Sequence, residues 1–236
     1  MKDKKLVKDI KKIGWCIISI EASEYLPSFS YTVGLWKNYN HPELICFGLT
    51  SKTLQTVLNI GGEIVKSGKI IEVGKIYDDF FENGSTSFLN VAQANIADYF
   101  GYAQWFNDYK EFEALQLIWT DRDDRFPWDS EYSEEFTWKQ PLLDRNSAFK
   151  FREPKNLATF TTNQWLSQNK PILHVVHESK GDWQFLTGDQ MPEDAIIVAL
   201  EQIIKKDPTL NTIFNLDYGE EARREYVGGE WIRGKL

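Results

Sequence analysis

The sequence predicts an α+β protein: a mixed or antiparallel sheet covered by helices in residues 1–145, a linker over 146–169, and a small α+β module in residues 170–236. Three observations predict it. Residues 29–35 and 44–49 are two β-rich runs joined by a polar bend that holds His41. Residues 51–67 then place Leu54, Val57, Leu58, Gly61, Ile64 and Val65 on one face of a helix long enough to cover a sheet. After residue 140 the apolar pattern weakens, and it returns only at Pro171.

Taken in order, residues 2–13 alternate lysines with Leu6, Val7, Ile10 and Ile13, the spacing of an amphipathic helix with a solvated basic face. Residues 14–20, bounded by Gly14 and the polar 21–24 stretch, read as a first strand. In the run that starts at residue 29, Phe29, Tyr31, Val33 and Leu35 fall on one face and Ser30, Thr32, Gly34 and Trp36 on the other, a mostly small face that leaves room for close packing. Thr50 and Ser51 start the long helix and Gly68 stops it; Gly61-Gly62 inside it argues for close approach to a strand, since each Gly costs about 1 kcal/mol relative to Ala.

Residues 69–73, 88–92 and 112–119 read as further strands and 95–106 as a helix. Residues 120–129, charged and poor in aliphatics, are expected to be a surface loop pinned by Phe126 and Trp128. In the C-terminal module, 171–177 and 183–186 form a hairpin around Gly181, 195–206 grade from a buried run into a helix that Pro208 ends, and 219–225 read as a last short helix. No internal repeat or low-complexity tract occurs.

Composition narrows the function. The 236 residues are 42% hydrophobic with 9 Trp, enough apolar mass for a folded core. A net charge of -8 argues against nucleic acid as a partner, because phosphate binding needs clustered Lys and Arg. Apolar runs fall short of the ~18 residues of a membrane span and the N-terminus lacks signal-peptide features, so a cytoplasmic location away from membranes is expected. Cys16 and Cys46, the 2 cysteines, lie in apolar strand-like runs and read as small hydrophobes in a reducing compartment.

Phe29 to Leu35 followed by Pro42-Glu43-Leu44, then Ala114 to Trp119 with Asp121, Pro127-Trp128 and Gln140-Pro141, resembles the bacterial family DUF4262 over about residues 14–143. The tail, with Gly181-Asp182-Trp183-Gln184-Phe185 and Asp207-Pro208-Thr209, is similar to small modules of the DUF2185 or immunity-protein type. The first resemblance implies a fold and no activity.

Motifs for familiar chemistry are missing. Gly62 and Gly68-Lys69 mimic a P-loop, but the glycines are one residue too far apart and Ile70 stands where Ser or Thr holds magnesium. His174 and His177, three apart in a strand, point to opposite faces, so no metal site is expected. No cofactor and no catalytic residue is assigned.

Three function classes compete. The leading expectation is a cytosolic interaction protein, of the immunity type that blocks a toxin, which meets a basic protein through the acidic aromatic loop of Asp123, Asp124, Phe126 and Trp128. The alternative is a small-molecule binder or an enzyme of unknown reaction whose cleft gathers Tyr31, Thr32, His41, Glu43, Gln116 and Asp121. A third expectation is a structural domain in a larger assembly. For each cleft residue the plainer reading is a locally satisfied polar group; only convergence on one cavity reverses it.

Overall fold

The computed structural model describes residues 2–236, with side chains from Leu6 onward, so the side chains of Lys2, Lys4 and Lys5 in the basic segment lie outside the described residues. It divides into two units: Met1–Ala22 with Pro27–Ser147, and Ser23–Leu26 with Ala148–Leu236.

The first unit runs α1 (Lys2–Ile13), β1 (Cys16–Ile20), β2 (Phe29–Val33), α2 (Leu35–Tyr39), β3 (Glu43–Phe47), α3 (Ser51–Lys66), β4 (Ile76–Tyr77), β5 (Thr86–Asn90), α4 (Ile96–Tyr99), α5 (Gly101–Phe106) and β6 (Ala114–Trp119). The strands form one six-stranded sheet in the order β1-β2-β3-β6-β5-β4. The β3–β6 pair is parallel and the other pairs are antiparallel, so the sheet is mixed. Parallel pairing demands a long crossover, and the chain between β3 and β6 supplies it with α3, the β4–β5 hairpin and two short helices.

Both faces of the sheet are covered. On one, Leu44, Cys46, Phe88, Leu115 and Leu117 pack under Leu54, Val57, Leu58 and Val65 of α3. Each fully buried aliphatic side chain there contributes roughly 1.5–3 kcal/mol. The two glycines of α3 make this approach possible: a Cβ on Gly61 would lie 2.5 Å from Leu44 Cδ1, and one on Gly62 would lie 2.3 Å from the Trp15 ring. On the other face Phe29, Tyr31 and Phe47 pack against Tyr99 and Phe100.

The second unit contains β7 (Ala158–Thr162), α6 (Asn163–Ser167), β8 (His174–His177), β9 (Trp183–Leu186), β10 (Ala195–Ala199), α7 (Leu200–Lys206), β11 (Glu220–Arg223) and β12 (Ile232–Lys235). Its six-stranded sheet has the order β10-β7-β9-β8-β11-β12. The expected hairpin is β8–β9, with Gly181 at φ 95° in the turn.

Several expectations are corrected. The run beginning at Phe29 leaves the sheet after Val33, because Gly34 turns at φ 117° and residues 35–39 coil into α2. Residues 69–73 are irregular: the Ile71 N–H goes to His41 Nε2 and the Glu72 N–H to the Tyr77 hydroxyl, so side chains take the donors that a strand would need. The helix expected over 95–106 breaks at Phe100, between α4 and α5.

The 146–169 linker is not one, since β7 and α6 lie within it. Its polar character misleads because threonines are β-branched and their hydroxyls find carbonyls, as Thr159 does at Val198 and Thr161 at Phe185. Residues 219–225 are likewise strand rather than helix; β11 is held between β8 and β12, and pairing on both sides overrides local preference. No helix among the described residues is long and apolar enough to cross a membrane.

Candidate functional site

The bend between β2 and β3 is organised by Glu43. Its carboxylate accepts the Thr32 hydroxyl at 2.7 Å, the Gly34 N–H at 2.8 Å, and the Leu35 and Trp36 N–H groups at 3.3 and 3.2 Å. These backbone groups are the unsatisfied donors at the start of α2, and Glu43 reaches them from the neighbouring strand. Burial pushes the carboxyl up, to about 7, against these four donors, which hold it down.

His41 is not the partner of Glu43. It is buried at 5% exposure, with Nδ1 2.8 Å from the Pro42 carbonyl and Nε2 accepting the Ile71 N–H at 3.4 Å. Burial pushes its imidazole pKa down, opposed by the Pro42 carbonyl. The two groups that the sequence places near each other are thus each spent on backbone.

Tyr31 and Gln116 are also enclosed. The Tyr31 hydroxyl accepts the Tyr102 N–H at 3.2 Å. Gln116 donates to the Pro141 carbonyl at 2.7 Å and accepts from the Leu143 N–H at 2.9 Å, pinning the 140–143 segment to β6. Convergence of Tyr31, Thr32, His41, Glu43, Gln116 and Asp121 in one cleft is therefore corrected: the first five are buried and bonded locally, and Asp121 alone of the six lines the cavity described next.

That cavity, about 540 Å³, is lined by Gly48, Leu49, Phe81, Asn83, Gly84, Trp119, Thr120, Asp121, Arg122, Asp124, Phe136 and Lys139. Gly48 and Leu49 directly follow β3, and Thr120 to Arg122 directly follow β6. The cavity thus opens at the carboxyl ends of the two adjacent parallel strands. Its apolar walls are Leu49, Phe81, Trp119 and Phe136, and Trp119 is fixed by its ring N–H donating to the Phe47 carbonyl at 2.8 Å.

The two carboxylates in the lining serve the loop. Asp121 accepts the Asp123, Arg125 and Ser133 N–H groups at 2.9, 3.0 and 2.9 Å. Burial pushes its pKa up, but these donors outweigh it and hold the group below its usual range. Asp124 accepts the Ser85 N–H at 2.7 Å and the Thr120 and Ser85 hydroxyls at 2.8 and 3.0 Å, bonds that lower its pKa and tie the β4–β5 turn to the end of β6.

Of the residues expected to meet a protein partner, Asp123 and Asp124 are exposed, while Phe126 is buried and stacks at 4.7 Å on Trp128, which is 43% exposed. The acidic surface is partly neutralised: Arg125 pairs with Asp123 and Glu131, and Arg122 with Glu135. The loop is stapled by its own backbone bonds.

His174 bonds Glu221 at 2.7 Å, and His177 is fully buried with Nδ1 on the Leu216 carbonyl and its ring stacked 3.9 Å from Trp183. No cluster of three or more His, Cys, Asp or Glu suited to a metal ion occurs among the described residues. Both cysteines are free thiols; burial pushes Cys16 up to about 12 and raises Cys46 further, the opposite of nucleophile activation.

Leu49, Phe81, Asn83, Gly84 and Lys139 are lining residues that the sequence does not indicate. A weak signal was present in the glycines flanking strands, for Gly48 and Gly84 have φ of 75° and 104°. That signal acquires meaning only once β3 and β6 are known to be parallel neighbours.

A family model described as "Domain of unknown function (DUF4262)" matches residues 9–133, and the chain belongs to that family. The cavity lining falls within this segment except for Phe136 and Lys139. No curated protein and no solved structure matches the chain.

Proposed function

We propose that this DUF4262-family chain binds a small molecule in the cavity at the carboxyl ends of β3 and β6. One observation carries the reading: a pocket of about 540 Å³, walled by Leu49, Phe81, Trp119 and Phe136, lies where two parallel strands release their loops. The lining contains no Ser, Cys or His, so binding fits its chemistry better than nucleophilic catalysis does. Free thiols with raised pKa suit a reducing bacterial cytoplasm.

The test is a ligand-observed fragment screen by NMR, repeated on Asn83→Trp, which places a bulky ring at the exposed rim. The expected result is a set of fragments that bind the natural chain and lose binding in the variant. Hits indifferent to Asn83→Trp, or an empty screen, overturn the reading.

A second reading keeps the immunity-type contact with a basic protein. It is favoured by Trp128, 43% exposed and held flat by its stack on Phe126, a rigid aromatic of the kind that anchors interfaces. Trp128→Ala should then abolish co-purification of a basic partner from native lysate while the chain stays folded, its melting temperature falling by about 1–6 °C as the roughly 0.5–1.5 kcal/mol of the lost ring stack implies. Unchanged co-purification, or none with either chain, removes this reading.

A further inference from the structure

We propose that the occupant of this cavity is an anion with a flat apolar body, held by Arg122 and Lys139 over the Phe136 ring. The inference rests on the cavity being a ligand site and adds its chemical class.

The carboxylates are spent. Asp121 accepts three hydrogen bonds from the backbone of residues 123, 125 and 133, and Asp124 accepts three from Ser85 and Thr120, out of about four acceptor positions on a carboxylate. The Thr120 hydroxyl donates to Asp124, and the Trp119 ring N–H donates to Phe47. A cationic ligand would meet acceptors that are nearly full.

The cations are not spent. Arg122 donates one bond, from Nη2 to Glu135 at 3.3 Å, which leaves most of its five N–H groups over. Lys139 Nζ is 3.9 Å from the same Glu135 carboxylate, an ion pair too long for a hydrogen bond. Both cations lie over one ring, at 5.4 and 4.8 Å from the Phe136 centroid. Two positive charges therefore converge on a single negative one beside an apolar wall.

An incoming carboxylate, phosphate or sulfonate would take the unused donors, while its flat body packs among Phe136, Phe81 and Trp119. Glu135 then acts as a competitor for the same cations. This makes its removal favourable to binding, an effect that a purely structural ion pair would not show.

The experiment uses three probes of one shape on the full chain: 2-naphthoate, 2-naphthamide and 2-naphthamidine, titrated by heteronuclear NMR. The expected result is 2-naphthoate at least tenfold tighter than the other two and weakened several-fold by raising salt from 50 to 500 mM. In Arg122→Gln/Lys139→Gln that preference disappears and in Glu135→Gln it grows, while each variant keeps a single cooperative melting transition. Equal affinity for all three probes, or a preference for 2-naphthamidine, overturns the anion assignment and leaves the cavity reading standing. Binding of none of them, or 2-naphthoate binding untouched by the double variant, also overturns it. The fragment screen with Asn83→Trp judges the cavity reading separately.

Discussion

The Glu43 carboxylate accepts the Thr32 hydroxyl at 2.7 Å while the Thr32 oxygen itself accepts the Leu44 N–H at 2.8 Å. One buried hydroxyl thus joins the end of β2 to the start of β3 and orients the carboxylate that caps α2. Both residues are fully buried, so neither can exchange its lost bond for one to water.

Thr32→Val keeps the β-branched shape and deletes the hydroxyl, stranding the Leu44 N–H and one carboxylate lone pair. The expected loss is roughly 1–3 kcal/mol, read from urea or guanidinium midpoints with an unchanged slope. A loss below about 0.5 kcal/mol would show that the bend is not held in this way.

Glu43 also sets a pH dependence. Its carboxyl lies at about 7 when folded, pushed up by burial, against an ordinary value of 4.5. Between these values the folded state binds more protons than the unfolded one, so this group's contribution to stability falls as pH rises through that window and is lost above about 7. Denaturant midpoints from pH 5 to 8 should decline in the natural chain relative to Glu43→Gln, whose side chain does not titrate. Parallel curves for the two would contradict the assignment.

His177 acts in the opposite sense. Burial lowers its pKa below 6.5, and its Nε2 is buried with no hydrogen-bond partner while Nδ1 faces the Leu216 carbonyl. The unfolded chain takes up a proton below pH 6.5 that the folded imidazole refuses, so stability falls as pH drops through 6.5. His41, also lowered by burial, adds to the same trend. NMR titration of the imidazole Cε1–H signals should find both rings titrating at lower pH than an exposed reference histidine, whose midpoint lies near 6.5.

Gly48 is a backbone requirement of the cavity wall. It has φ 75°, and a Cβ there would lie 2.3 Å from the Lys139 carbonyl oxygen. Gly48→Ala should lower stability by more than about 1 kcal/mol and shift NMR signals of Lys139 and Trp119. A neutral substitution would mean that the 139 segment does not close on β3.

The elements of the first unit were legible wherever pattern is local. The α3 stripe ends at a capping Thr50 and at Gly68 as periodicity and turn chemistry demand, and Gly61 and Gly62 announced the close contact that Leu44 and Trp15 make. The local patterns of residues 69–73 and 219–225 mislead because their fate depends on distant groups. His41 and Tyr77 withdraw one segment's donors from a ladder, and β8 and β12 draw the other into one.

The sequence alone determined the α+β class, the pair of strands around His41, the covering helix and the membership that its motif order resembles. Tertiary structure alone decided that β3 and β6 lie side by side and parallel, and hence that the loops after Phe47 and Trp119 share a cavity. The physical reason is that burial, hydrogen-bond satisfaction and spare donors are properties of neighbours. Glu43 and Gln116 carry the same side chains whether sealed in backbone bonds or facing a ligand, and only contacts between residues far apart in the chain distinguish the two.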